Sequence, residues 1–314
     1  MNFAYKKHIL IFVKFIVTMA LFLLIAQNVE LKRIFTILDD FDTVFFLLAV
    51  AILLLQTMIA TIRWRIVLSE IKVEFSFTRV LSFLWIGLFF NQALPSSVGG
   101  DAFRGYCVYK NGYSIGKSSL GVLLDRMFGM VGLVVLIVAS LPLMFDLIND
   151  KEIQWGVVFV IMSVFSAISS SLMLDLLPKK MAHSRIIQGL FAFSKEGRRQ
   201  ILSIYPGVTL MVVSIVIHSI SIIAVVVLSK GMSLDLEWHN MLFIVPFVTL
   251  ASAIPISIAG WGVREGIMVV SLGYLGVAPE QALVLSILYG VLMLVSSIPG
   301  LIIWLKGDYS TNNK

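Results

Sequence analysis

The chain reads as an all-α, polytopic integral membrane protein, with about six full spans and two broken, re-entrant helical hairpins in an inverted repeat. Three observations predict this. Of 314 residues, 59% are hydrophobic and 13% are charged, whereas a soluble domain carries about 25% charged residues. Apolar runs of about 20 residues, enough to cross a bilayer, recur from end to end. Two further apolar stretches are cut by Pro, Ser and Gly at matching places. Only helices and closed barrels satisfy the backbone in lipid, and the alternating pattern of a barrel is absent.

The first run, 9–26, is followed by charge and by no small-residue cleavage site, so a retained helix is expected. Further full spans are expected at 41–62, 118–145, 155–177, 207–229 and 281–305. Region 80–94 offers only about 15 apolar positions before Pro95. Region 241–258 is interrupted by Pro246 and Pro255 and then by "AGWG". A second short run follows each break, at 103–109 and 263–277. We expect one transmembrane domain over 1–314: a first half, 1–177, with a hairpin at 80–110, a basic linker at 178–206, and a second half, 207–314, with a hairpin at 241–277.

Charge sets the expected orientation. Arg63, Arg65, Lys72 and Arg79 lie in one connecting segment, and Lys179, Lys180, Arg185, Lys195, Arg198 and Arg199 in another. Acidic residues dominate 146–154 and 230–240. The positive-inside rule then puts both termini and both basic segments in the cytoplasm. "SRIIQGLFAFSKEGRRQILS" could form an amphipathic helix on the inner leaflet. The plainer expectation is a solvated loop.

Composition also excludes. One cysteine, Cys107, allows no internal disulfide, and His8, His183, His218 and His239 lack ligand spacing. Neither a metal nor a cofactor is expected. The net charge of +6 suits loops facing anionic lipid, not nucleic acid.

The two breaks resemble one another. In "LPSSVGGDAFRG" (94–105) and "IPISIAGWGVRE" (254–265), Pro95 falls on Pro255, Ser97 on Ser257, Gly100 on Gly260 and Arg104 on Arg264, always 160 residues apart. The charge pattern gives the copies opposite orientation. That pairing points to a transporter built from inverted repeats, with its binding site at the interruptions. Pro95 and Pro255 would end the first half-helices, and Gly99, Gly100, Gly260 and Gly262 would permit the reversal. The free N–H groups of the next half-helix suit an anion such as phosphate, and Arg104 or Arg264 adds a fork of donors that fits one. Asp101 and Ser97 would join this binding site, and Asn91 would either line the same cavity or bond to the carbonyls freed around the break. The simpler alternative is a pair of interfacial loops, with both arginines snorkelling to headgroups.

Asp125 and Arg126 are neighbours inside an apolar run and cannot both face one spot, since successive residues point about 100° apart. Either one faces a cavity, or both lie at the cytoplasmic helix end. Glu265 could carry a proton or balance Arg264. The "RWR" at 63–65 reads as an interfacial anchor.

"RW" at 63–64, "NQALPSSVGGDAFRGY" at 91–106, "LLDRMFGMVGL" at 123–133 and "PISIAGWGVREG" at 255–266 resemble the lysylphosphatidylglycerol synthase transmembrane-region family, also called flippase-like domain proteins. The resemblance implies a bacterial or archaeal inner-membrane protein that moves lipid headgroups or accompanies enzymes of lipid-linked sugars. The soluble aminoacyltransferase domain of the larger family members is not expected here. The leading expectation is a flippase for an anionic lipid: a polyprenyl-phosphate, a glycolipid or a phospholipid. Arg104 and Arg264 would hold the headgroup, and Asp101, Asp125 or Glu265 would couple or release it. The alternative is an intramembrane transferase, or a partner of lipid-glycan enzymes, with Asp101 as the one candidate base.

Overall fold

A computed structural model describes residues 3–27, 29–94, 99–178, 184–254 and 257–307, and for residues 3–11, 22, 26 and 31 it describes the backbone alone. The described residues are all-α, with no strand among them.

Helix α1 (Phe3–Ala26) and the short α2 (Leu31–Asp39) precede α3 (Thr43–Glu70). Helix α3 starts where Asp42 accepts a hydrogen bond from the Val44 N–H at 2.9 Å, which satisfies one orphan donor of its first turn. Helices α4 (Phe77–Ala93) and α5 (Gly99–Lys110) lead to α6 (Ile115–Ala139), capped by Ser114. After α7 (Leu141–Leu147) come α8 (Lys151–Ser171), α9 (Arg185–Leu202) and α10 (Thr209–Gly231). The chain ends with α11 (Trp238–Ser252), α12 (Val263–Gly273) and α13 (Pro279–Lys306). Helix α13 opens on a proline, whose missing N–H costs nothing in the first turn.

Among the described residues, five helices are long and apolar enough to cross a membrane: α3, α6, α8, α10 with the turn preceding it, and α13. Their outward faces stay apolar. Trp155, Phe159, Met162 and Phe165 of α8 are all exposed, the reverse of a soluble protein's surface. This is a multi-pass membrane protein. Two expectations need correction. The span at 118–145 divides, because α6 stops at Ala139 and Pro142 lies at the start of a separate short helix. The linker at 178–206 is largely helical rather than an open loop, as α9 shows.

Packing follows one rule. Helix α3 runs antiparallel to α10, with Gln56 bonded to Ser221 and Arg63 to Ser214. Helix α4 lies along α13, and α6 along α11. Helix α10 also packs on α6, α3 on α13, α3 on α6 and α10 on α13. Exchange α3, α4, α5 and α6 for α10, α11, α12 and α13, and the α3–α10 contact maps onto itself while each of the others becomes another observed contact.

Helices α4 and α5 form a hairpin that returns to its starting level. Arg79 Nη2 donates to Asn111 Oδ1 at 2.6 Å, and the Glu74 N–H donates to the Tyr113 hydroxyl at 3.0 Å. At 1.5 Å per residue, the 17 residues of α4 reach about 26 Å and the 12 of α5 about 18 Å, both short of a hydrocarbon core of about 30 Å. Helices α11 and α12, shorter still, make the second hairpin.

Helix α9 is fastened outside the spans. The Ser194 hydroxyl donates to Asp175 Oδ1 at 2.7 Å, and Arg198 Nη2 donates to Asp175 Oδ2 at 2.7 Å. The Ser194 hydrogen bond and then the Arg198 guanidinium hold the Asp175 carboxyl below its ordinary range. A carboxyl lowered in the folded state adds stability above its unfolded pKa of about 3.9, and this is lost as pH falls through the folded value. Asp175→Asn is therefore expected to lower the unfolding temperature at pH 7, with the gap to wild type closing below about pH 4. Thermal unfolding of both proteins across that range checks it.

Candidate functional site

The first hairpin carries a chain of buried ion pairs. Asp125 is 2% exposed and meets two guanidiniums: Arg63 Nε donates to its Oδ1 at 2.8 Å, and Arg104 Nη2 to its Oδ2 at 2.8 Å. Arg104 Nη1 lies 3.4 Å from Asp101 Oδ1, and Arg126 Nε donates to Asp101 Oδ2. Arg63 also reaches the Ser214 hydroxyl on α10 at 3.3 Å. The chain thus runs Arg63, Asp125, Arg104, Asp101, Arg126, with three positive charges against two negative. The Arg104 guanidinium stacks on Trp64 with its Cζ 4.0 Å from the ring centre. That face attracts cations through the ring quadrupole.

Local sequence explains the placement. Gly100 crosses α4 so closely that a Cβ would strike the Gly87 carbonyl, and at Gly87 a Cβ would stand 2.5 Å from Arg104 Cγ. Two glycines therefore let α5 and its arginine pack against α4. Asn91 Oδ1 accepts from the Gly100 N–H at 2.9 Å and so satisfies a donor at the start of α5. Gly99 packs against Leu94. Pro95, Ser97 and Pro255 lie outside the described residues.

The second hairpin is built differently. Gly260 and Gly262 both take left-handed backbone, with φ of 81° and 86°, so α12 begins only at Val263. Arg264 is the second residue of α12, whereas Arg104 is the sixth of α5. Glu265 Oε2 accepts from the Gly262 N–H at 2.5 Å, and its Oε1 accepts from Arg264 Nη2 at 2.6 Å and Nε at 3.0 Å. Ser286 adds a donor at 3.4 Å. Arg264 stacks on Trp261 at 4.4 Å and lies against Gly290. This cluster is neutral. Arg264 pairs with Glu265, whereas Arg104 pairs with Asp101 and Asp125, so the two arginines have different carboxylate partners. A cavity of about 660 Å³ opens beside α12, lined by apolar side chains such as Leu21, Phe243, Phe247 and Val270.

A family model described as "Lysylphosphatidylglycerol synthase TM region" matches residues 11–300. The chain belongs to this family. A UPF0104 membrane protein of Methanothermobacter thermautotrophicus is 24% identical over 76% of this chain and 78% of its own length. A second UPF0104 membrane protein, from Pyrococcus horikoshii, is 31% identical over 41% of the chain and 38% of its own length. Family membership fits a lipid-related role in the membrane.

Within this member of the TM-region family, several of the residues that the sequence proposes for a site fall together: Asp101, Arg104, Asp125 and Arg126 form one cluster, and Arg264 and Glu265 another. As their spacing requires, Asp125 faces inward and Arg126 faces the rim, its side chain 44% exposed. Arg63, Trp64 and Gly87 were not singled out as site residues. The anchor reading of "RWR" misplaced Arg63 and Trp64, which are 9% and 0% exposed. A lone aspartate in an apolar run needs a partner, and that was the available signal.

Proposed function

We propose that this protein is a flippase, moving an anionic lipid or lipid-linked precursor between leaflets of a cell membrane. The observation that carries the reading is the packing scheme, which maps onto itself when the two four-helix sets exchange, with α3 antiparallel to α10. We read it as an inverted repeat whose hairpins α4–α5 and α11–α12 re-enter the membrane from opposite sides. Broken backbone at membrane depth survives only where protein buries it or a wet cavity receives it. The net-positive chain on the first hairpin suits an anionic headgroup, and the crevice beside α12 suits acyl chains. Orientation follows the charges, with Arg198 cytoplasmic and Asp150 external.

A transferase would need a positioned base. Both oxygens of Asp101 already face guanidiniums, so no observation favours that reading. The test is translocation of fluorescent lipids in liposomes holding the purified protein. An anionic phospholipid or polyprenyl-phosphate is expected to cross faster than in empty liposomes and faster than a zwitterionic lipid. Equal rates with and without protein for all anionic lipids would defeat the proposal.

A further inference from the structure

The two hairpins are not equivalent as anion sites. In the second, Glu265 takes every available neighbour: the Gly262 N–H, two nitrogens of Arg264 and the Ser286 hydroxyl. Charge is balanced and Arg264 donates through two nitrogens, although the buried Ser257 hydroxyl at this break finds no partner among the described residues. At the first, the buried N–H donors Trp64 Nε1, Trp85 Nε1 and Arg104 Nε find no acceptor among the described residues, and those of Trp64 and Arg104 lie together. These two belong to side chains stacked 4.0 Å apart, 0% and 5% exposed. A buried N–H without an acceptor has lost its water and received nothing in return. Two such donors, beside an ion-pair chain with one surplus positive charge, lack a negatively charged oxygen. Arg126, with its side chain 44% exposed, marks the side from which the cluster is reached.

We propose that the first hairpin alone holds the anion, that it takes a tetrahedral phosphate oxyanion on Trp64 Nε1 and Arg104 Nε, and that Arg264 with Glu265 is a closed structural latch. Resting on the lipid-transport reading, this assigns the ligand as the phosphate of a lipid headgroup. Indole and guanidinium each offer the oxyanion a hydrogen bond, and the surplus charge offsets its desolvation. The latch caps α12 and keeps Arg264 neutralised.

The experiment measures binding rather than transport, so the two readings fail separately. Purified full-length protein in detergent is titrated with short-chain phosphatidylglycerol, with inorganic phosphate, and with a fatty-acid carboxylate. Wild type is expected to prefer the phosphatidylglycerol. Trp64→Phe keeps an aromatic face and removes the N–H; Arg104→Lys keeps the charge and removes Nε. Each is expected to weaken binding about tenfold or more, as for a hydrogen bond to a charged group. If Trp64→Phe does not fold, Arg104→Lys alone decides. Unchanged affinity in the folded variants would overturn the site. A loss in Arg264→Gln equal to that in Arg104→Lys would overturn its restriction to one hairpin. Equally tight, Trp64-dependent binding of inorganic phosphate would overturn the assignment to a lipid. Tight Trp64-dependent lipid binding without translocation would keep this site and remove the flippase reading.

Discussion

Asp125→Asn is expected to cost about 3–5 kcal/mol of folded stability, among the largest effects of any single substitution here. The side chain keeps its shape and loses its charge. Arg63 and Arg104 then face one another through a neutral amide in a site 2% exposed. Only Asp101 still balances three guanidiniums. Removing one partner of a buried ion pair is far worse than never having had the pair, because the remaining charge stays desolvated. A second substitution tests the cause. Adding Arg63→Met to Asp125→Asn is expected to restore part of the loss, so the two changes will be less than additive. Thermal unfolding of the single and double variants in one detergent reads the cycle. Full additivity would mean that Arg63 and Asp125 are not coupled.

Gly300→Leu is expected to destabilise the molecule by about 3 kcal/mol or more, through crowding rather than charge. Helix α13 passes α4 so closely that a Cβ on Gly300 would collide with the Trp85 carbonyl group. Neither backbone can yield without separating α13 from α4. Phe90 and Trp304 would part as well, their rings now 5.4 Å apart in an edge-to-face pair. Gly189→Ala is the control, since nothing lies within 4 Å of a Cβ at that position of α9. Alanine in an exposed helix there is expected to be neutral or slightly stabilising, by up to about 1 kcal/mol. The same unfolding measurement compares the two.

Much of this architecture was legible because membrane insertion writes itself into local composition. Runs of about 20 apolar residues mark spans without any knowledge of neighbours. The two breaks were legible for the same reason, as proline and glycine interrupt a run wherever they stand. Arg104 and Arg264 stood out as charges near those breaks. Their partners did not. Arg63 meets Asp125 across 62 positions of sequence, and nothing local foretells it. Gly87 sits unremarked in "WIGLFF", although it decides how near α5 can come. Helix α9 was hidden by its basic residues, which read equally as a solvated loop. The difference between the hairpins was hidden by their likeness in sequence. Left-handed Gly260 and Gly262 delay α12 and bring Glu265 round to cap it, which a twelve-residue comparison of letters does not reveal.

The ion-pair chain has a consequence for synthesis. Its five members lie between Arg63 and Arg126, and Ser214 joins it from further along. A nascent chain emerges amino-terminus first. Both carboxylates of the cluster can therefore be paired with guanidiniums while the second half is still unmade. The steric partner of that hairpin arrives last, because Trp85 waits for Gly300. The insertion machinery thus receives an early segment whose carboxylates are already paired but which is still bare on one apolar face. Lipid or a chaperone must cover that face until α13 is released from the ribosome.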